Sequence, residues 1–474
     1  MTFLRPALLT LLLFATHASA ADPGDAIDRL LRAGCLNPAA TSVSVVDLTT
    51  GETIYAKNAD TPLVPASVMK LFTTGAALHH LGPDYRFTTS IWATAAPVGG
   101  VVDGDLYIVG RGDPKLTPEA VWGMVTGLKR RGVDRVTGRL MIDAGFFDDL
   151  PRAPSWAAHR STRAYDAKLG ALSISFNTVA VEVYPADAPG KPLIVGLNPP
   201  SPYLTLDNRG TTVARRPQKV EISRSVVDNR LRITVTGSKI PGEEEAIRYV
   251  NVPDPDRFAA ETFHAFLKEA GVTVEKGGGY GKKPADAVQL YVNRSEPLRV
   301  ILAQLNRYSN NFVAEQVAKT MGAEVLGAPG SHEKAMKLIA RFIDEIGAAT
   351  PGTAFTDASG LSWENRVTTR QVTKLIGALH DRFDLGPDFI ATLALMGAEG
   401  SVEKRLTHSP VARFARVKTG SLTGVSNIAG GVAANNGRRF AFAIFLNDNR
   451  CGYEGADRIE DAIVKRIYDD GSAP

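Results

Sequence analysis

Ser67-Val68-Met69-Lys70 is the stretch whose reading decides this chain, with Ser309-Asn310-Asn311 much later and Lys418-Thr419-Gly420-Ser421 near the C-terminus. A serine hydroxyl is a poor nucleophile near neutral pH unless a base takes its proton. Three residues apart on a helix, Ser67 and Lys70 lie on one face within reach of each other. A lysine serves as that base only where burial or nearby positive charge holds its ammonium pKa down. Lys418 would supply such a charge, and Ser309 would pass a proton onward. Taken singly, S-x-x-K reads as a helix start with a solvated lysine. The three motifs in this order, each in a suitable local context, read as one nucleophilic site.

That context can be followed outward from the serine. Pro65-Ala66 leads into Ser67, and Val68, Leu71, Phe72 and Leu78 recur at helical spacing until Gly82-Pro83 stops the helix. The serine is thus expected at a helix N-terminus, where outward-pointing backbone N–H groups favour negative charge. Upstream, Thr41–Leu48 alternates apolar and polar residues, Thr49-Thr50-Gly51 turns, and Thr53–Lys57 resumes as the second strand of a hairpin. Near the other end, Phe414–Lys418 and Asn427–Ala433 read as strands. Asn436-Gly437 is a hairpin turn, Arg439–Leu446 a strand rich in Phe, and Ala456–Tyr468 an amphipathic helix. The expected fold class is α/β (α+β), one antiparallel sheet built from both ends of the chain with helices packed on it.

The 238 residues from Leu71 through Tyr308 are far more than two neighbouring motif elements need. Short β-like runs fill much of this stretch: Leu106–Val109, Arg139–Ile142, Val179–Val183, Lys219–Ser223 and Leu231–Thr236. Asp256–Gly271 is helical in pattern. The expected organisation is a signal segment over 1–20, catalytic parts over 21–81 and 288–474, and between them a β-rich insert over 82–287. Two subdomains, one nested in the other, fit that insert better than one. Its glycine-rich pieces, Gly110-Arg111-Gly112 and Gly277–Gly281, lack the full spacing of a dinucleotide or phosphate loop and read as turns.

Residues 1–20 carry Arg5, an apolar run over Ala7–Ala15 and Ala18-Ser19-Ala20, the pattern of an export signal cleaved before Ala21. The run is shorter than the ~20 apolar residues of a membrane span, and no later stretch is long and apolar enough to span. Lys and Arg total 54 against 50 Asp and Glu. Removing the signal takes Arg5 and no acid, so the remaining bias is too small to argue for nucleic acid. The two cysteines, Cys35 and Cys451, form no C-x-x-C pair. They are expected either to join the chain's two ends after export or to stand as separate thiols. No histidine pattern indicates a metal. His79-His80 reads as surface or core filling, and no cofactor is implied.

S-x-x-K, S-x-N and K-T-G together are similar to the signature of penicillin-binding proteins and serine β-lactamases. Further stretches narrow the resemblance: Ser295-Glu-Pro-Leu298, Asn306–Asn311 with Ala314-Glu315, Asp357-Ala-Ser-Gly through Thr368, and Gly397–Ser401 followed by Arg405. With these, the chain resembles the D-alanyl-D-alanine carboxypeptidase/endopeptidase family of the penicillin-binding-protein-4 type over nearly its whole length. The long insert is characteristic of that family. The resemblance implies a penicillin-recognising transpeptidase-like domain interrupted by two inserted domains. It also implies a periplasmic serine DD-peptidase acting on peptidoglycan peptides and trapped by β-lactams.

By motif, Ser67 matches the acyl-forming nucleophile and Lys70 its base. Ser309 matches the proton relay, and Asn311 matches a residue that holds a substrate amide or Lys70. Lys418, with Thr419, Gly420 and Ser421, matches the substrate-carboxylate site. The backbone N–H groups of Ser67 and Ser421 match the oxyanion hole. Arg366 and Arg405 are expected in structural pairs. One departure concerns the side-chain end of the substrate. Some members place an acidic residue just after the insert's tryptophan to read diaminopimelate, whereas here Trp156 is followed by a basic run to Arg163, and Asp166 comes late. The rival readings are a β-lactamase or esterase on the same machinery, and a non-catalytic peptidoglycan-binding protein. The oligomeric state is not legible.

Overall fold

A computed structural model describes residues 23–156 and 161–470. The expected export signal therefore lies outside the described residues, as does Ala157–Arg160 of the basic run. Among the described residues no helix is long and apolar enough to cross a membrane.

The central sheet has six strands: β1 (Thr41–Asp47), β2 (Thr53–Lys57), β3 (Ala394–Leu395), β4 (Ala415–Leu422), β5 (Val425–Ala433) and β6 (Arg439–Leu446). Their order is β3-β4-β5-β6-β1-β2, antiparallel throughout. The two ends of the chain meet where β1 lies along β6, with Val43 opposite Ile444. Strand β6 is apolar on both faces, so the sheet is covered on both sides. Phe442, Ile444 and Leu446 pack with Ile463, Val464 and Ile467 of the C-terminal helix (Gly452–Asp470) and with Ile27 of the first helix (Pro23–Leu30). Ala441, Ala443 and Phe445 face the other way, toward the helix Thr369–His380. Each large side chain buried this way is worth about 1.5–3 kcal/mol. The small alanines let that helix approach closely enough for Ser42 and Ser44 of β1 to hydrogen-bond Thr369 and Thr373 at 2.7 and 3.0 Å.

On that second face the helix Met69–Leu81 is the hub, packed by helices Leu298–Tyr308, Asn311–Leu326, His332–Glu345 and Thr369–His380. It is buried on all sides from Met69 through Leu78. The helix ends at Gly82, whose φ of 80° a residue with a side chain would resist.

Beyond the hub the chain enters a five-stranded sheet, leaves it for small sheets between Thr178 and Asn251, and returns through the helix Pro255–Glu269. One continuous apolar core runs through both parts, from Ile91 to Val272. The strand Val288–Arg294, which the sequence reading assigns to the second catalytic part, pairs with Thr88–Ala93 of this five-stranded sheet. Pairing with a partner about 200 residues upstream leaves no local trace in sequence, so the sheet carries past position 287. Gly278–Tyr280, read as part of a turn, is an edge strand parallel to Leu140–Ile142. Gly112 does sit in a bend, with φ of 78°, where a Cβ would fall 2.3 Å from Thr320 Oγ1.

Cys35 and Cys451 are bonded, their Cα atoms 4.9 Å apart, which settles the pairing that the sequence left open. The bond pins the end of the first helix to the start of the last.

Candidate active site

Ser67 lies in a single 3-10 turn, Ala66–Val68, and the α-helix begins at Met69. The sequence reading expects the serine at the helix N-terminus, and the α-helix proper starts two residues after it. The difference arises at Ala66, held at φ of 46° with no exposed surface. The turn still brings Lys70 Nζ to 3.0 Å from Ser67 Oγ. The same Nζ donates to Asn311 Oδ1 at 2.7 Å and to the Ser359 carbonyl at 2.5 Å. Lys70 is fully buried. Burial presses its pKa down to about 7, against the opposing pull of the Asp357 and Glu315 carboxylates.

Ser309 and Asn311 are presented by a break between two helices. Leu298–Tyr308 ends with Ser309 in the left-handed region at φ of 55°, and Asn310 caps the next helix by accepting from Val313 N at 3.1 Å. The break turns Ser309 Oγ toward β4, where Lys418 Nζ donates to it at 2.9 Å and to the Thr419 carbonyl at 2.6 Å. Lys418 is as buried as Lys70. Burial, and then the charge of Lys70, pushes its pKa well below the usual lysine range. Thr419 Oγ1 meets Ser401 Oγ at 2.9 Å.

Gly420 explains how β4 comes so near the serine. A Cβ there would sit 2.7 Å from Pro65 O and 2.9 Å from the backbone nitrogens of both Ser67 and Val68. Only glycine allows the strand backbone, and with it Ser421, to lie against the serine turn. The structure thus brings Ser67, Lys70, Ser309, Asn311, Lys418 and the Thr419–Ser421 backbone into one cleft.

Several groups around this cleft lie outside the three catalytic motifs. Asp357, completely buried, accepts from the backbone of Gly360, Leu361 and Ser362 at 2.8–3.0 Å and from the side chains of Ser359 and Asn365. It thereby ties the turn that supplies the Ser359 carbonyl to Lys70. That turn abuts the serine turn: a Cβ on Gly360 would fall 1.8 Å from Ala66 O. The insert reaches the same place, since Trp156 Nε1 donates to Asp357 at 2.8 Å and Ser155 Oγ to Thr356 O at 3.1 Å. Lys319, on the helix that begins at Asn311, bonds Asp148 at 2.6 Å and Leu150 O at 2.9 Å, a second tie to the insert. Beside the resemblance, the clustering of Asp, Ser, Gly and Asn over 357–365 was the one local hint, since such residues build side-chain-supported turns.

Arg366 bonds the carbonyls of Trp363 and Asn365 at 2.7 and 2.8 Å, and Arg405 pairs with Asp457, Glu460 and Asp461 of the last helix. Arg405 is paired as expected, whereas Arg366 holds the backbone of its own loop and no carboxylate. Asp166 is likewise occupied, by Arg152 at 2.9 Å and by the backbone of Ser161 at 2.6 Å. His79 is paired with Glu345 at 3.0 Å.

Comparison with known proteins places this geometry. The profile of the D-Ala-D-Ala carboxypeptidase 3 (S13) family matches residues 24–468. A D-alanyl-D-alanine carboxypeptidase from an Actinomadura species is 34% identical over 459 residues, covering 93% of this chain and 83% of the relative. The D-alanyl-D-alanine carboxypeptidase DacB of Haemophilus influenzae is 26% identical, over 84% and 83% of the two chains. Among solved structures, penicillin binding protein 4 (dacB) of Haemophilus influenzae superposes with a TM-score of 0.78 at 22% identity, covering 93% of this chain and 98% of that one. Bd3459, a predatory peptidoglycan endopeptidase of Bdellovibrio bacteriovorus, does so at 0.53 and 16% identity, over 91% and 93%. The fold is the penicillin-recognising one, and the chain is a serine-type peptidase of the D-Ala-D-Ala carboxypeptidase 3 family.

Proposed function

We propose that this enzyme is an exported, periplasmic DD-carboxypeptidase and DD-endopeptidase. It cleaves D-Ala-D-Ala ends and D-Ala-diaminopimelate cross-links of peptidoglycan peptides. The observation that carries this reading is the pair of buried lysines, one on the nucleophile and one on the relay serine. In this reading Lys70, with a pKa near neutrality, takes the Ser67 proton as Oγ attacks the penultimate D-Ala carbonyl. The oxyanion would develop between the backbone N–H groups of Ser67 and Ser421, and the close approach of the Gly420 backbone to the serine turn supports that placing. The proton passes from Lys70 by way of Ser309 to the departing D-Ala nitrogen as the C–N bond breaks, leaving an ester on Ser67. Asn311 orients Lys70 and the peptide, while Lys418, Thr419 and Ser421 receive the terminal carboxylate. Water then cleaves the ester with Lys70 again as base. A β-lactam carbonyl would acylate Ser67 by the same attack.

The residues 21–81 and 288–474 would supply the chemistry, and the insert would shape access to it. The test is a labelled penicillin: the adduct should map to Ser67 and vanish in Ser67→Ala with the fold retained. Wild-type enzyme should also release D-Ala from a pentapeptide and open a cross-linked muropeptide, seen by separating the products. An adduct on a different serine, or no turnover of either peptide, would overturn the reading.

A further inference from the structure

Glu315 lies one turn along the helix that begins at Asn311. It has no exposed surface and touches neither Ser67 nor Lys70 directly. Its Oε1 accepts from the backbone N–H groups of Ala358 and Ser359 at 3.0 and 2.9 Å. Ser359 therefore gives its N–H to Glu315 and its carbonyl to Lys70 Nζ, so one peptide segment connects a buried carboxylate to the buried amine. Thr73, one turn beyond Lys70 on the hub helix, holds the adjoining carbonyl of Ala358 at 2.7 Å. Glu315 Oε2 lies 3.2 Å from Nδ1 of buried His332, but neither atom makes a hydrogen bond in this geometry. A buried carboxylate left half satisfied costs stability.

We infer that Glu315 is a positioning residue for the reaction: it clasps the 358–359 backbone so that the Ser359 carbonyl is aimed at Lys70, and its charge favours the protonated amine. This rests on the reading of Lys70 as the base. The charged groups facing Lys70 are Asp357 from the turn, Glu315 from the 311–326 helix and Lys418 from β4. Those facing Glu315 are His332 from the next helix, with Lys319 on its own helix. The sign follows from Coulomb's law: a carboxylate near an ammonium favours the protonated amine. Removing that charge should let Lys70 act as a base at lower pH.

The test is the pH profile of acylation by a fluorescent penicillin in the full-length enzyme. Glu315→Gln keeps an oxygen for both N–H groups and removes the charge. The acid limb is expected to move to lower pH with its plateau retained, so that the rate in mildly acidic buffer rises several-fold relative to the plateau. A limb that stays in place, or a uniform fall in rate at every pH, overturns the inference. Glu315→Asp keeps the charge but withdraws it from the turn. It should lower the plateau and leave the limb where it was, and an undiminished plateau also overturns the inference. The Asp variant carries the test if the Gln variant does not fold. Lys70→Arg is run in the same series. Near-normal acylation there would overturn the base assignment itself, an outcome separate from a failure of the Glu315 variants.

Discussion

Two buried cationic sites on opposite faces of the sheet make a useful comparison. Arg405 is met by three carboxylates, with Asp461 at 2.8 Å, Glu460 at 3.0 Å and Asp457 at 3.1 Å. Burial works against its charge, yet these acids outweigh burial and hold the guanidinium protonated more firmly than usual. Lys70 is buried at least as deeply, but its direct partners are a hydroxyl, an amide oxygen and a carbonyl, and its two carboxylates stand one step removed. Full compensation fixes a proton in place. Partial compensation leaves it free to move, and only the second arrangement can do acid–base work.

The largest expected effect bears on that contrast directly. A guanidinium does not deprotonate in proteins, so Lys70→Arg should slow acylation by about 10²–10⁴-fold or more, read from the rate of penicillin labelling. With Lys70 as the proposed base, the neutral amine is the active form in the wild type. Acylation should therefore rise with pH through about 7 and flatten above it. A flat profile across that range would remove the contrast.

Gly420→Ala is next. Its Cβ would press on Pro65 O and on the nitrogens of Ser67 and Val68, so β4 must retreat from the serine turn. A displacement of about 1 Å at a reacting centre can cost about 10²-fold, and a loss of that order is expected in labelling rate with circular dichroism unchanged.

Arg405→Met tests the other side. With the cation gone, buried Glu460 keeps only the Ser426 hydroxyl and half-buried Asp461 loses its partner, and stability should drop by about 3 kcal/mol in urea melts. Labelling of the protein that remains folded should keep its rate. Lost labelling with unchanged stability would show that this site too has a chemical role.

The smallest effect is expected from replacing Cys35 and Cys451 together by serine. This should cost about 2–4 kcal/mol by freeing the unfolded chain, with no change in labelling rate.

What could be read from sequence follows the range of the interactions involved. Ser67 and Lys70 are three residues apart, and helical geometry makes that spacing meaningful without any further contact. The same holds for the alternation in Thr41–Leu48, the Asn436-Gly437 turn and the apolar run Arg439–Leu446, which together made the two-ended sheet readable. Glu315, Asp357 and Trp156 were present only as letters within a resemblance. Their roles depend on contacts spanning 43 residues for Glu315 with Ala358 and 201 for Trp156 with Asp357. No local periodicity encodes such pairings. For the same reason, the pairing of Val288–Arg294 with Thr88–Ala93 could not be read, and the cysteine pair stayed open.

The position of β1 between β2 and β6 has a consequence for the newborn chain. Synthesis delivers Ser67 hundreds of residues before Lys418, and the hairpin of β1 and β2 has no permanent neighbour until β6 emerges near the end. Until β4 has emerged and joined the sheet, the serine turn lacks it, and Lys70 lacks part of the enclosure that lowers its pKa. A ribosome-bound or truncated chain would thus carry an unarmed nucleophile. Reactivity appears only when the last strands arrive, so the order of the strands acts as a timer on the chemistry.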